Sequence, residues 1–434
     1  MAASIDIDSA GLDSRAQRRH AVIGSSVGTI IEWYDFTLYG LASALVFAPL
    51  FFGGGGLAGT LGAFASFAVG FGARPIGGLV FAHVGDRLGR KGTLLATLVM
   101  MGTATTLIGA LPTADTIGVW APVILTVLRV VQGAGAGAEF AGAMTMANES
   151  APVRGRALTA GFPGAAVYVG MAIATVTFAV LSAALPGDAF VTWGWRIPFL
   201  ASAVIVAFAL YFRLRVKETA AFEAAERDGA VVAAPVAEAV RGYWRVLLPG
   251  MALFVFVLPW VYVVQTFSIS YTTGDLGVDR TGALVGLIVA EVLTVPATLW
   301  FGWLADRVGR KPVLLGAGSF AVLFAFPMFW LFDTGSAVLV GVALVLGLAV
   351  VQGATIGVSA ALLSEVFPTR LRWSGIAISR ELPAAVFGGT APFVATWLVT
   401  VGGGAPHLVA VYLVVVSAIG LAGILALPET LPRR

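Results

Sequence analysis

Gly85-Asp86-Arg87-Leu88-Gly89-Arg90-Lys91 returns 220 residues later as Ala305-Asp306-Arg307-Val308-Gly309-Arg310-Lys311. Both copies lie between long apolar runs, so each reads as a short basic loop joining two helices. Val130-Val131-Gln132-Gly133-Ala134 is echoed at the same offset by Val350-Val351-Gln352-Gly353-Ala354, and Glu149 through Arg156 by Glu365 through Arg372 at an offset of 216. Three signals in one order point to internal duplication. Parallel repeats of membrane helices place a substrate site between the halves, near the midplane.

The runs around these loops decide the medium. Of 434 residues, 59% are hydrophobic and 11% charged, against about 25% charged in an ordinary soluble domain. A bilayer asks for about 20 apolar residues per helix, and about 36 residues per span with its loop allows roughly twelve helices. Apolar runs broken by Gly, Pro or charge predict them at 21–52, 57–83, 92–111, 117–149, 155–186, 193–214, 245–274, 279–304, 312–333, 336–366, 373–401 and 405–428. The expected fold is an all-α integral membrane protein of twelve transmembrane helices in two pseudo-symmetric six-helix bundles, 21–214 and 245–428. A polar segment at 215–244 reads as a linker, and 1–20 and 429–434 as tails. Arg18-Arg19-His20 resembles the start of a signal sequence, but the apolar run after it passes Glu32 and Asp35 without a small-residue cleavage site. It reads as a retained first helix.

Alternating the loops between two faces gathers Arg87, Arg90, Lys91, Arg154, Arg156, Arg307, Arg310, Lys311, Arg370 and Arg372 with the linker and terminal bases, and leaves Asp115, Asp188, Asp275, Asp279 and Asp333 opposite. The basic side is cytoplasmic by the positive-inside rule, which puts both termini in the cytoplasm and the chain in the inner (plasma) membrane. There is no Cys, and His20, His83 and His407 are far apart, so neither a metal nor another cofactor is expected. Gly133-x-Gly135-xx-Ala138 resembles a dinucleotide fingerprint but lies inside an apolar helix with no strand before it. No Gly-xxxx-Gly-Lys-Ser/Thr occurs, so the drive must come from gradients. The expected partners are a small-molecule substrate, H+ and membrane lipids, without nucleic acid, and the chain is expected to work as a monomer.

The repeated Gly/Ala-Asp-Arg-x-Gly-Arg-Lys loop resembles the signature of the major facilitator superfamily, and Arg129-xxx-Gly133 with Gly135 and Gly137 its fourth-helix motif. Within it, Ile31-Glu32-Trp33-Tyr34-Asp35-Phe36, Ala73-Arg74-Pro75-Ile76-Gly77-Gly78, Gly137-Ala138-Glu139-Phe140, Gly194-Trp195-Arg196-Ile197-Pro198-Phe199 and Glu218-Thr219 resemble the metabolite:H+ symporter family. The resemblance implies proton-coupled symport of a small organic acid (mono-, di- or tricarboxylate) or a zwitterionic metabolite by alternating access, and no enzymatic activity. Arg380 and Glu381 depart from the uncharged residues more usual at those positions. A drug/H+ antiporter of the same fold is the alternative, and an intramembrane enzyme a more remote one.

Glu32, Asp35, Arg74, Arg129, Glu139, Glu291, Arg380 and Glu381 all fall inside predicted spans. Each costs about 2.5–3.5 kcal/mol near a helix centre if left to lipid, so these groups must face a cavity, pair with one another, or become neutral. Glu32 and Asp35 are three apart on one helical face and disfavour double ionisation. Asp35 is the expected protonation site, with Arg129 as the base whose pairing alternates with it and with Glu32 and Glu139 assisting; alternatively, one of the first pair merely holds Arg129 or Arg74 in place. Arg380 is the expected carboxylate anchor, because guanidinium grips carboxylate through two parallel bonds. The competing reading is a structural charge pair with Glu291 or Glu381. Arg74, Gln132, Gln352, Tyr34, Tyr262 and Gln265 complete the substrate-site candidates, the aromatics competing with interfacial roles and Arg74 with a structural one. Gly85, Asp86, Arg87, Gly89 and Arg90, with Asp306, Arg307, Gly309 and Arg310, are expected to form a conformational latch. Pseudo-symmetry pairs Asp86 with the start of helix 11 near Arg372–Gly375, and Asp306 with the start of helix 5 near Arg154–Arg156.

Overall fold

The protein is seen in a computed structural model that describes residues 26–53, 56–88, 90–137, 155–185, 188–215, 235–368 and 371–431. Side chains are described there except at 82–94, 209, 211–215, 235–237 and 373. Every regular element among the described residues is helical. In chain order they are α1 (Ser26–Phe51), α2 (Leu57–Leu88), α3 (Arg90–Ala110), α4 (Trp120–Ala136), α5 (Arg156–Ala184), α6 (Arg196–Arg215), α7 (Pro235–Tyr262, prolonged to Asp275), α8 (Arg280–Val308), α9 (Arg310–Phe332), α10 (Ala337–Val366), α11 (Arg372–Pro383, prolonged to Val401) and α12 (His407–Ala426). Ten are long and apolar enough to cross a bilayer, and the apolar parts of α3 and α4, Leu95–Ala110 and Trp120–Ala136, are shorter.

Two local features differ from the expected pattern. Helix α7 starts at Pro235, inside the segment read as linker, and its backbone leaves helical geometry at Tyr243. The polar residues Glu238, Arg241 and Arg245 belong to this leading stretch, where Ala239 is buried and Val240 exposed; a run of mixed polarity is a helix lying ahead of the span rather than an unstructured connection. Wider π-turns interrupt the helices at Ser43–Phe47, Phe190–Gly194, Val263–Phe267, Tyr271–Asp275, Leu346–Gln352 and Ala384–Gly388. One extra residue in a turn leaves apolar composition unchanged, so hydropathy carries no trace of it.

Small residues determine how the helices cross. A Cβ on Gly77 would collide with the backbone of Ala134, one on Gly133 with that of Gly70, and one on Gly137 with the carbonyl of Arg74. Helices α2 and α4 therefore cross backbone to backbone, as small-residue faces permit in membranes. The contact turns Arg74 and Arg129 inward, and bare Gly70 leaves room for the Arg129 side chain. The two halves meet in the same manner, with Gly302 of α8 against the Ala157 carbonyl of α5 and Gly357 of α10 against Gly161 of α5.

Candidate functional site

Four charged side chains form one buried network across the halves. Arg74 of α2 donates from Nη2 to Glu32 Oε1 of α1 at 2.8 Å and from Nε to Glu381 Oε2 of α11 at 3.0 Å. Arg380 of α11 donates to the other oxygen of Glu381. All four are at most 7% exposed. Arg74 also lies over the rings of Phe36 and Phe71, its guanidinium carbon 4.9 and 5.7 Å from their centroids. Two bases against two acids make the group self-compensating, which is how such charge survives at membrane depth. Arg74 and Glu32 thus join α2 to α1, and Arg74 joins α2 to α11, the contacts that the structural alternative of the sequence reading requires.

Asp35 is fully buried in another setting. Its Oδ2 accepts from Thr105 Oγ1 of α3 at 3.0 Å and its Oδ1 from Ser202 Oγ of α6 at 3.3 Å. No direct bond joins it to Arg129, contrary to a closed pair. Arg129 donates from Nη1 to Gln132 Oε1 at 2.6 Å, and Gln132 donates to Thr105 Oγ1 at 2.8 Å, so base and acid communicate through two neutral side chains. The physical reason is aromatic: the Arg129 guanidinium sits 4.2 Å from the Tyr39 ring centroid and 4.4 Å from that of Phe36, a cation–π cage that holds it off the carboxylate.

The two halves enclose a small cavity of about 20 Å³ lined by Trp33, Tyr168, Phe254, Gln352, Ser359 and Arg380 among others. Metabolite pockets run to about 300–1,000 Å³, so this cavity is too small to hold a metabolite as it stands. Of the substrate candidates, Arg380 and Gln352 reach it. Gln352 is anchored by donation to the Val257 carbonyl at 2.8 Å, and its Oε1 has no partner. Tyr262 is buried against Phe67 and Phe71 with its hydroxyl unpartnered. Three candidates are turned elsewhere: Tyr34 donates to the Pro198 carbonyl, Gln132 is absorbed in the Arg129–Thr105 link, and Gln265 donates to Thr37 Oγ1 at 3.1 Å and Glu291 Oε1 at 3.4 Å. Glu291 corrects another expectation, for it bonds Thr175 and Gln265 rather than a cation, while Glu381 takes both Arg74 and Arg380. Thr105, Ser202, Thr175 and Tyr168 were missed. Only Tyr168, the lone polar aromatic of α5, carried a signal.

The second copy of the repeated loop forms a compact polar cluster at one end of the bundle. Asp306 accepts the backbone N–H groups of Ala157 and Leu158 in the first turn of α5, at 3.2 and 2.9 Å, where the helix dipole favours a negative group. This is one to two residues beyond the expected contact. Arg310 forks onto Glu365 of α10 through Nε and Nη2 at 3.2 and 3.1 Å and also reaches Asp306 at 3.1 Å. Gly309 carries φ +111°, a turn that side chains resist, and Arg307 lies over the Trp303 ring. Past the last helix, Glu429 caps α9 by accepting from the backbone N–H groups of Arg310 and Lys311. Partial burial pushes its carboxyl up, but bonds from the N–H groups of Leu431, Lys311, Arg310 and Thr430 outweigh this and hold it below the usual carboxylate range. In the first copy Gly85 has a described helical backbone; Gly89, the side chains of Asp86, Arg87 and Arg90, and Glu139 lie outside the described residues.

A profile of the Major Facilitator Superfamily matches residues 26–382. The chain belongs to that superfamily. The shikimate transporter of Escherichia coli K12 is 38% identical over 409 residues, covering 93% of each chain, and the inner membrane metabolite transport protein YhjE of the same strain is 37% identical over 423 residues, covering 95% of this chain and 94% of its own. The ectoine/proline transporter ProP of Corynebacterium glutamicum is 34% identical over 431 residues, covering 95% and 84%. The fold matches a partially occluded inward-open structure of the E. coli xylose transporter XylE with a TM-score of 0.74 at 16% identity, covering 96% of this chain and all of that one. This facilitator is therefore a multi-pass membrane transporter with the twelve-helix, two-bundle fold.

The Asp306 contact yields a direct expectation for the transporter. Asp306→Asn keeps the side chain's shape but weakens two charge-assisted bonds that join α8 to α5, costing about 1–3 kcal/mol. Opening at that end should become easier. With no native Cys, a single reporter cysteine at Ala160 gives a clean readout, and its labelling rate should rise by about tenfold or more in the variant. An unchanged rate would show that the contact does not hold the end shut.

Proposed function

We propose that this facilitator is a proton-coupled symporter of a small organic acid or zwitterionic metabolite, taken up by alternating access with its carboxylate held by Arg380. One observation carries the reading: Arg380 is the charged side chain lining the cavity between the halves, and its guanidinium is already paired with a carboxylate, that of the adjacent Glu381. A substrate carboxylate entering the cavity meets a fork built for it and competes with Glu381. Because Glu381 also ties α11 to Arg74 of α2, that exchange loosens a link between the halves. Asp35 supplies the proton site, and the loop pair supplies the latch, with its basic side facing the cytoplasm. The names of the relatives, which cover shikimate, ectoine, proline and betaine, agree with a carboxylate as the common feature.

The deciding experiment is uptake into proteoliposomes of labelled shikimate, a dicarboxylate, a monocarboxylate, proline and betaine, with and without an inward pH step. Accumulation of at least one carboxylate that rises with the pH step is the expected result. Uptake restricted to organic cations lacking a carboxylate, or their efflux in exchange for protons, replaces this reading with antiport.

A further inference from the structure

Glu291 lies at the middle of α8, completely buried, eleven residues after Arg280 and fifteen before Asp306. Its Oε1 accepts from Thr175 Oγ1 of α5 at 3.0 Å and from Gln265 Nε2 of α7 at 3.4 Å. Its Oε2 is buried with no hydrogen-bond partner. No ion pair with Glu291 occurs among the described residues, where the self-compensated group of Glu32, Arg74, Arg380 and Glu381 uses two of the three arginines at this depth and Arg129 lies on the Asp35 side. The remaining titratable side chains on the packed helices stand apart. Tyr168 of α5 faces it, with an unpartnered hydroxyl. Tyr262, one turn before Gln265 on α7, packs on Phe67 and Phe71; Tyr271, about 9 Å of rise beyond Gln265, is bonded to Asp333; Arg156, Glu365, Arg310 and Lys311 sit at the latch end, and Asp275 and Asp333 at the opposite end.

We infer that Glu291 is a second proton-binding site of this transporter, one that holds its proton while the halves are closed and exchanges it when they part. An ionised carboxylate needs either a cation or a full set of donors, and two neutral donors on one oxygen with none on the other provide neither. A carboxyl group fits the same surroundings, since Oε1 as carbonyl oxygen accepts both bonds and Oε2 carries the proton. The donors also say when the proton leaves. Thr175 belongs to the first half and Glu291 to the second, and Gln265 in turn bonds Thr37 on α1, two residues from Asp35. Separating the halves removes Thr175 and admits water, and water is what an ionised carboxylate needs. The inference rests on the proton-coupled reading above and adds a second acceptor to it.

Charge displacement after a pH jump tests this without any substrate. Full-length protein in proteoliposomes on a capacitive electrode should give a transient current as protons bind. We expect the integrated charge to fall by about half in Glu291→Gln, by about half in Asp35→Asn, and to background in the double variant. Glu291→Asp keeps a titratable group and should retain the full charge with a shifted pH midpoint, which guards against misfolding of the Gln variant. A Glu291→Gln charge equal to wild type, or an unshifted midpoint in Glu291→Asp, overturns the second site. A Glu291-dependent transient evoked by a sodium jump at constant pH overturns it as well, by making the site one for a metal cation. Loss of nothing in Asp35→Asn instead strikes the proton-coupled reading and leaves the Glu291 result to be judged separately.

Discussion

Asp35→Asn is expected to remove the share of pH-driven accumulation that Asp35 couples while leaving exchange of internal for external substrate intact. The site is built to accept both states of the carboxyl. Thr105 Oγ1 lies 3.0 Å from Asp35 and 2.9 Å from the Met101 carbonyl, and Ser202 Oγ lies 3.3 Å from both Asp35 and the Pro198 carbonyl. Each hydroxyl has one proton to give. When Asp35 is ionised both can point to it; when it is protonated, one turns to its backbone carbonyl and accepts from the carboxyl instead. No buried donor is stranded either way, so little stands against cycling. Asparagine copies the protonated state, its amide N–H₂ donating where the carboxyl O–H did, and the variant should fold with a stability within about 1 kcal/mol of the parent. One coupled proton supports about tenfold accumulation per unit of pH gradient, since a pH unit is about 1.4 kcal/mol. The variant's accumulation ratio under a one-unit step should therefore fall by about tenfold, with counterflow within a few-fold of wild type. An accumulation ratio equal to the parent's would reject Asp35 as a coupling site.

The scaffold was far more legible than the site, for a physical reason. Hydropathy, loop charge and the duplicated Asp-Arg-x-Gly-Arg-Lys act over whole segments, and they carried the twelve helices, the two halves and an Asp306 contact within one turn of its observed place. The duplication preserves this frame and not the central charges: offset by 220, Asp35 meets Val255, Arg129 meets Ala349 and Glu291 meets Phe71. Symmetry could therefore say nothing about who pairs with whom. Pairing at mid-membrane depends on side-chain direction, and the π-turns at Val263–Phe267 and Leu346–Gln352 shift that direction on the very stretches that hold Gln265 and Gln352. Gln132 and Gln352, equivalent by repeat, consequently have unrelated partners. Hydroxyl donors such as Thr105 and Ser202 leave no mark in a sequence where Thr and Ser also satisfy their own helix.

The second large effect concerns the anchor. Arg380→Ala removes the fork that lines the cavity and leaves Glu381 with Arg74 alone, so an entering carboxylate finds no free cation and an acid beside it. Breaking one side of a buried charged pair costs about 3–5 kcal/mol, which for a transported carboxylate means a loss of at least about a hundredfold in uptake efficiency. Arg380→Lys keeps the charge without the planar fork and should fall between, because a point charge cannot make two parallel bonds. Arg196→Ala is the control. That guanidinium closes the end of α3 by donating to the carbonyls of Gly109 and Leu111 at 3.1 and 2.6 Å and lies over Trp195, away from the cavity. Uptake should survive its loss. Glu381→Gln acts in the opposite sense to Arg380→Ala, for it removes the internal carboxylate that competes for Arg380, while Arg74 keeps its bond to Glu32. The apparent KM for the carboxylate should drop by about tenfold, the worth of one charge-assisted bond, while the weakened α2–α11 tie raises reporter labelling between the halves. If Arg380→Ala transports carboxylates as efficiently as the parent, the substrate is held elsewhere and the Arg380–Glu381 pair is only a strut.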